Sequence, residues 1–398
     1  MRKGKSDISG WLVRRASWHA WAASGAVLCA HVVAVALHTS DGGMDNAIVV
    51  RAARTWLDGG SPYADRHFLY LPGAVLAAVP QTLLPAAATR LLVPLTVTAL
   101  LLTGWACALR VHGVPWRSRL GVLGPAGLAL GFAPFGHLVA LGNWTVIAAA
   151  ALPLALLLAA RERWGWAGVV IGASLALKPL LAPLALLFLF ARRWRGLAAT
   201  VLVPALASGG AALLMPDPAA FVTRTLPFLL SGHDDFVRLY EASPAAVLPR
   251  LGVPSPVAVA LACAAAGAGV LAAYRRWSRG VPGPLRLTET AVLLMLSAFL
   301  VSRPSYDHYL LVVVPSLLAG LPYPGAAARE PWFWLALVPQ VPGADWPWLE
   351  AVTRRSFRDC FTLCVMTASV ALPRRRHLPL AGPDHFVAQR RGRRATRV

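Results

Sequence analysis

From Ser17 to Leu37 the chain runs without one Asp, Glu, Lys or Arg. About 20 apolar residues are enough to cross a bilayer. Inside lipid every backbone N–H and C=O must find a partner within the segment, so such a run has to be helical. Comparable runs recur at about 86–109, 119–136, 143–160, 165–177, 179–191, 195–215, 254–274, 287–301, 308–322, 330–342 and 357–372. With the first they make twelve. The chain is 57% hydrophobic and only 14% charged, with a mean hydropathy of +0.58, against roughly 25% charge in a soluble domain. The expectation is an all-α polytopic membrane protein in which one domain uses the bilayer as its solvent. A cleaved signal peptide competes for the first run, but its polar lead and its apolar length favour an anchor. The pair flanking Lys178-Pro179 is short for two full spans, and Pro179 and Pro183 could equally kink one re-entrant hairpin.

The net charge of +21 would suggest nucleic acid in a soluble protein. Here the basic residues cluster at the ends of apolar runs, and no zinc finger, RNA-recognition motif or phosphate loop accompanies them. With the N-terminus in the cytoplasm, 26 of the 38 Lys and Arg fall on that side, as the positive-inside rule expects. Twelve of the 17 acids fall on the other side, which points to an outer surface that does chemistry. Many of the 15 tryptophans sit at run ends, as an aromatic belt does. The five cysteines lie in apolar runs. Cys360 and Cys364, four apart, have no His or acid partners spaced like a zinc site, so packing is their expected role.

The first polar stretch after the first apolar run, His38 to Pro72, contains Asp41, Asp45, Asp58 and Asp65. Residues 44–58 have helical periodicity, with Arg51, Arg54 and Asp58 on other faces, and predict a short interfacial helix. Asp45 falls in its first turn, where the helix dipole favours a carboxylate. Gly59-Gly60-Ser61-Pro62 ends it. Residues 69–84, interrupted by Pro72 and Pro80, predict a second interfacial helix.

An ionisable group in a span costs about 2.5–3.5 kcal/mol on insertion scales and marks a functional site by default. Lys178 is such a group. Its point charge suits a phosphate, although snorkelling to the interface would also place it there. Arg224 lies in the later outer loop, 216–253, either as a solvated charge or as a second cation. Ser302-Arg-Pro-Ser-Tyr-Asp-His-Tyr309 forms a third outer cluster, in which His308 could donate to a phosphate or hydroxyl and Tyr306 could flank a ring. An acid facing cations across one leaflet suits sugar transfer from a lipid phosphate. The base takes the acceptor's proton while the cations hold the departing phosphate.

These residues resemble those of the C-type, polyprenyl-phosphate-dependent glycosyltransferases. The resemblance lies in an outer-loop acid after the first span, a Tyr-x-Pro interfacial helix, Gly168, Gly172, Lys178 and Pro179 in series, and a late aromatic and His cluster. Within that class the chain resembles glycosyltransferase family 87, and is most similar to the actinobacterial α-1,3-arabinofuranosyltransferases through Leu177-Lys-Pro-Leu-Leu-Ala-Pro-Leu184 and Thr223-Arg-Thr-Leu-Pro227. The resemblance implies a C-type fold of about twelve transmembrane helices, a polyprenyl-phosphate sugar donor, an inverting mechanism, and neither metal nor other cofactor. Asp45 falls on the family's catalytic aspartate. The second acid often seen beside it is Met44 here, and Asp41 is the candidate substitute. Lys178, Arg224 and His308 are then the donor-phosphate ligands, with Asp41, Trp56, Tyr63, Tyr70 and Tyr306 on the acceptor or sugar side. His308 stands where mannosyl relatives carry histidine, so arabinofuranose and mannose both remain open.

The expected organisation is a basic cytoplasmic N-terminus (1–16), a transmembrane glycosyltransferase domain (17–372) with outer loops 38–85 and 216–253, and a basic, disordered cytoplasmic tail (373–398). The expected place is the plasma membrane, with both termini in the cytoplasm and the active site outside. Its partners would be the bilayer, the polyprenyl-phosphate sugar and a cell-wall polysaccharide or glycolipid acceptor, without nucleic acid. The rival is a transporter or flippase, which would show two similar halves with charges at the bilayer midplane. A non-catalytic family member is the third reading.

Overall fold

The computed structural model describes residues 4–231, 240–280, 283–343 and 346–372. The tail 373–398, residues 1–3 and part of the 216–253 loop lie outside the described residues. Among those described there is no strand, and one isolated bridge pairs Arg15 with Ser118. The all-helical expectation is met.

Among the described residues, five helices are long and apolar enough to cross a membrane: Trp18–His38, Ala86–Val111, Trp194–Leu213, Ser255–Arg279 and Pro284–Val301. A sixth span forms if Arg119–Gly131 and Ala133–Leu141, bent by 81°, are taken together. The bend has a cause in the sequence. Pro134 has no N–H to continue the ladder, and Phe132 takes extended backbone between the two pieces. Of the other expected spans, Thr145–Ala160, Trp164–Leu177 and Leu310–Ala319 are helical but short. After Lys178, the two prolines turn the segment into a 3-10 stretch, Pro179–Leu184, before Ala185–Phe190 resumes α geometry. The last helix, Ala351–Ala371, begins earlier than the apolar run and carries Arg354, Arg355, Arg358 and Asp359 in its first half.

Burial separates the core from the lipid-facing rim. Leu310–Ala319 is buried along its whole length and Pro284–Val301 along most of it, with Ala86–Val111 and Thr145–Ala160 packed around them. Trp194–Leu213 instead exposes Leu206 and Leu213 at 75% and 78%. Apolar surface on that scale needs lipid against it, as in a multi-pass membrane protein. Trp164–Leu177 packs closely on Trp194–Leu213 because Gly168 has no side chain: a Cβ there would lie 2.1 Å from the Gly196 carbonyl oxygen. Small residues at such crossings are the membrane form of close helix packing.

Pro284–Val301 carries an acid inside the bundle, Glu289. It is 2% exposed, pairs with Arg276, and accepts from the Ala327 amide at 2.7 Å. Arg276 also donates to the Val370 carbonyl at 2.6 Å. One ion pair thus ties four segments of the bundle together.

A second, smaller core holds the first loop. Both expected interfacial helices form, as Met44–Leu57 and Pro72–Thr82. They bury Val49, Ala53, Phe68, Ala74 and Val75 against Trp144 and Met215.

Candidate active site

The Met44–Leu57 helix starts from a turn in which Asp41, Gly42 and Gly43 all have positive φ (51°, 73° and 99°). The Ala133–Leu141 helix ends at Gly142, also left-handed at φ 60°. The two turns touch. A Cβ on Gly43 would meet the Ala140 carbonyl oxygen at 2.4 Å, and one on Gly142 would meet that of Gly42 at 2.2 Å. Glycine supplies both the φ values and the space. Gly43→Ala or Gly142→Ala is therefore expected to separate the turns, at a cost of about 1–3 kcal/mol per strained residue. The variants should still fold in membranes but lose most of whatever activity depends on the contact. Unchanged activity in both would show the contact to be incidental.

That contact brings Asn143 against Asp45. The Asn143 amide donates to Asp45 Oδ2 at 2.5 Å. Its Oδ1 accepts from the Thr145 backbone at 2.7 Å and from Lys178 Nζ at 3.2 Å. Lys178 Nζ also donates to Thr145 Oγ1 at 2.8 Å. Trp144 Nε1 donates to Asn46 Oδ1 at 3.2 Å, fixing the same two segments from the other side. One side-chain amide thus joins a carboxylate at a helix start to an ammonium at a helix end.

The ammonium also faces two rings, Tyr70 at 5.3 Å and Tyr309 at 5.1 Å, within cation–π reach. Tyr309 packs edge-on against His308 at 5.2 Å, and Tyr306 stacks on His308 at 5.4 Å. His308 is 3% exposed. Asp307 Oδ1 accepts from its backbone N–H at 2.7 Å and lies 3.3 Å from Nδ1. Among the described residues His308 Nε2 is buried with no hydrogen-bond partner. Burial pushes the Tyr70 phenol well above its ordinary pKa, and the Asp45 carboxylate adds to the rise while the Trp144 backbone opposes it. Tyr70 is therefore a neutral phenol.

The structure brings five of the expected residues into one contact chain: Asp45, Lys178, Tyr70, Tyr306 and His308. The other four stand elsewhere. Asp41 is exposed on the entry turn. Trp56 spends its indole N–H on the Leu214 carbonyl at 3.0 Å. Tyr63 is buried and donates to the Tyr70 carbonyl at 3.1 Å, so it supports Tyr70 from below. Arg224 sits in a π-helical turn, Phe221–Thr225, and pairs with Asp217 at 3.0 Å; among the described residues no contact joins it to Lys178. Asn143 and Thr145 are the residues that sequence reading missed. The signal was present in Gly142-Asn143-Trp144-Thr145, a polar break between two apolar runs on the side assigned to Asp45 and Lys178.

Comparison with known proteins points the same way. The family model described as glycosyltransferase family 87 matches residues 68–302. An alpha-(1->3)-arabinofuranosyltransferase of Mycobacterium tuberculosis is 32% identical over 287 residues, covering 69% of this chain and 63% of that protein. Its namesake in Mycolicibacterium smegmatis is 30% identical over 287 residues, 69% of this chain and 64% of that protein. The one in Corynebacterium glutamicum is 27% identical over 198 residues, 48% and 47% of the two chains. The match therefore spans less than two thirds of these relatives' length. No solved structure matches the chain.

Proposed function

We propose that this chain, which belongs to glycosyltransferase family 87, is an integral-membrane glycosyltransferase that moves a sugar from a polyprenyl-phosphate donor to a cell-envelope glycan or glycolipid. The observation that carries the proposal is the Asn143 amide bridging the Asp45 carboxylate and the Lys178 ammonium. A base and a phosphate-binding cation held a few ångströms apart suit displacement at the anomeric carbon. Asp45 takes the acceptor hydroxyl's proton, the acceptor oxygen bonds to C1, and the C1–O bond to phosphate breaks. Polyprenyl phosphate leaves with the bonding pair, its charge balanced by Lys178 and by a hydrogen bond from His308. One base acting on the face opposite the leaving group makes the reaction inverting, without a metal.

The wider reading is a C-type fold whose twelve helical segments sit in the plasma membrane, with both termini in the cytoplasm and the Asp45 centre outside. The charge asymmetry of the loops supports it. Arabinofuranose is the first donor sugar to test, because that sugar is in the names of the relatives. Mannose is the second, because the resemblance sets His308 where mannosyl relatives carry histidine.

Membranes containing the protein would be given radiolabelled decaprenyl-phosphoryl-arabinofuranose or polyprenyl-phosphoryl-mannose, each with arabinan and mannan oligosaccharides. One donor is expected to give product. Lys178→Gln should raise the KM for that donor roughly 10- to 100-fold, the worth of a hydrogen bond to a charged group. An unchanged donor KM would remove Lys178 from the phosphate. No product from any pair, with the protein folded, would favour the transporter reading.

A further inference from the structure

Beside Asp307, the residue before His308, lies a cavity of about 330 Å³, within the usual range for small-molecule sites. The Ala133–Leu141 helix contributes His137, and the first half of Ala351–Ala371 contributes Arg354, Arg355, Arg358 and Asp359; Asp307 and Gln340 complete the polar lining. We propose that this cavity is a sugar-binding subsite for one residue of the acceptor glycan, recognised through its hydroxyl groups.

The donor and acceptor inventory carries the argument. Most of the lining is already engaged. Asp307 Oδ2 pairs with His137 and stands 3.4 Å from Arg355. Gln340 donates to Asp359 Oδ1 at 2.9 Å and to Thr362 at 3.0 Å. Arg358 Nε donates to the Pro339 carbonyl at 2.6 Å. Two polar atoms are left over: Asp359 Oδ2, on a side chain 4% exposed, and Arg355 Nε, both buried with no hydrogen-bond partner among the described residues. Such orphans are costly unless a ligand meets them. One accepts and the other donates. A phosphate would meet Arg354 and Arg355, with Arg358 held on the Pro339 carbonyl, but would face the Asp359 and Asp307 carboxylates. A cation would do the reverse. A hydroxyl donates to the carboxylate and accepts from the guanidinium, and a sugar ring presents several at a spacing that can reach both.

The placement fits an acceptor. Asp307 bonds His308 through Oδ1 and the cavity's His137 and Arg355 through Oδ2, so the cavity and the Asp45 centre share one carboxylate between them. Trp348, three residues before Ala351 at the cavity rim, is 97% exposed and offers an indole face for a neighbouring sugar. The word acceptor rests on the glycosyltransferase reading above, whereas sugar binding does not.

The test uses the full chain in lipid nanodiscs. Binding of fluorescent arabino- and manno-oligosaccharides is measured without donor, and the KM values for donor and acceptor are measured separately. Asp359→Asn alters the orphaned oxygen. Ala351→Phe fills the mouth from an exposed position and leaves the polar lining intact, so it serves if the first variant folds poorly. Both are expected to weaken oligosaccharide binding and raise the acceptor KM roughly 10- to 100-fold, leaving the donor KM unchanged. Binding unchanged in Ala351→Phe, or a rise in the donor KM alone, would overturn the proposal, as would a wild-type chain that binds no oligosaccharide. Binding that both variants abolish, in a protein that transfers no sugar, would uphold the subsite and defeat the glycosyltransferase reading.

Discussion

Asp45→Asn is expected to lower the rate of transfer by roughly 10²- to 10⁴-fold, the usual contribution of a positioned general base. That corresponds to about 3–5 kcal/mol of transition-state stabilisation. The substitution is isosteric, so the first turn of Met44–Leu57 and its contact with Asn143 can persist. The lost favourable charge at a helix start is worth only about 0.3–1 kcal/mol, far below the catalytic loss. Donor KM should therefore stay close to wild type, and the thermal midpoint should hardly move. Asp45 Oδ2 is occupied by Asn143, which leaves the other oxygen for the acceptor hydroxyl. Asn143→Ala should accordingly cost less than Asp45→Asn, because it removes the support and keeps the base. Single-turnover measurements with preloaded donor separate the chemical step from binding. Full transfer by Asp45→Asn would place the base elsewhere, and His308 with its unpartnered Nε2 would be the next residue to examine.

What the sequence disclosed about this centre follows from distance along the chain. Asp45 and Lys178 were legible because charge is scarce: an acid just after an apolar run and a lysine between two of them each need a reason. The helix that presents Asp45 was legible from the period of Val49, Val50 and Ala53 behind a glycine pair. Asn143 was not, because an uncharged residue after Gly142 reads as a loop, and its partners lie 98 and 35 residues away. Trp56 and Tyr63 read as acceptor-side residues, and the Leu214 and Tyr70 carbonyls take up their polar atoms. The span pattern was legible as helix but not as length. Proline at 134, 179 and 183 bends or breaks apolar runs, Thr145–Ala160, Trp164–Leu177 and Leu310–Ala319 are short, and Ala351–Ala371 carries four charges in its first half, so five or six helices among the described residues meet the requirements for spanning. The cavity beside Asp307 was invisible for another reason. Its polar set is carried by the head of an otherwise apolar helix, where Arg354, Arg355 and Arg358 look like the charged flank of a span.

Removing Glu289 tests a different link, the one between packing and stability. Glu289→Ala is expected to destabilise the protein by about 3–5 kcal/mol, the usual cost of leaving one partner of a buried ion pair alone. Arg276 would keep the Val370 carbonyl but lose its counter-charge, and the Ala327 amide would lose its acceptor. Arg276→Met should cost a similar amount, since it takes a guanidinium from a carboxylate that is 2% exposed. The pair itself is worth less than either loss, because an apolar pair of similar volume removes both charges at once. The double variant Arg276→Met with Glu289→Met is therefore expected to recover much of the stability that either single change removes. Thermal midpoints in nanodiscs, compared as a double-mutant cycle, would check this; additive losses would mean that the two charges act independently. Activity should follow a separate course. Glu289 lies near the start of Pro284–Val301, twelve residues and about 18 Å of helix from Val301, whereas the Asp307–Tyr309 turn follows that helix's far end. Each folded molecule of the Glu289 variants should thus bind donor as wild type does, with less protein surviving extraction. Asp45→Asn should give the reverse: full yield and little turnover.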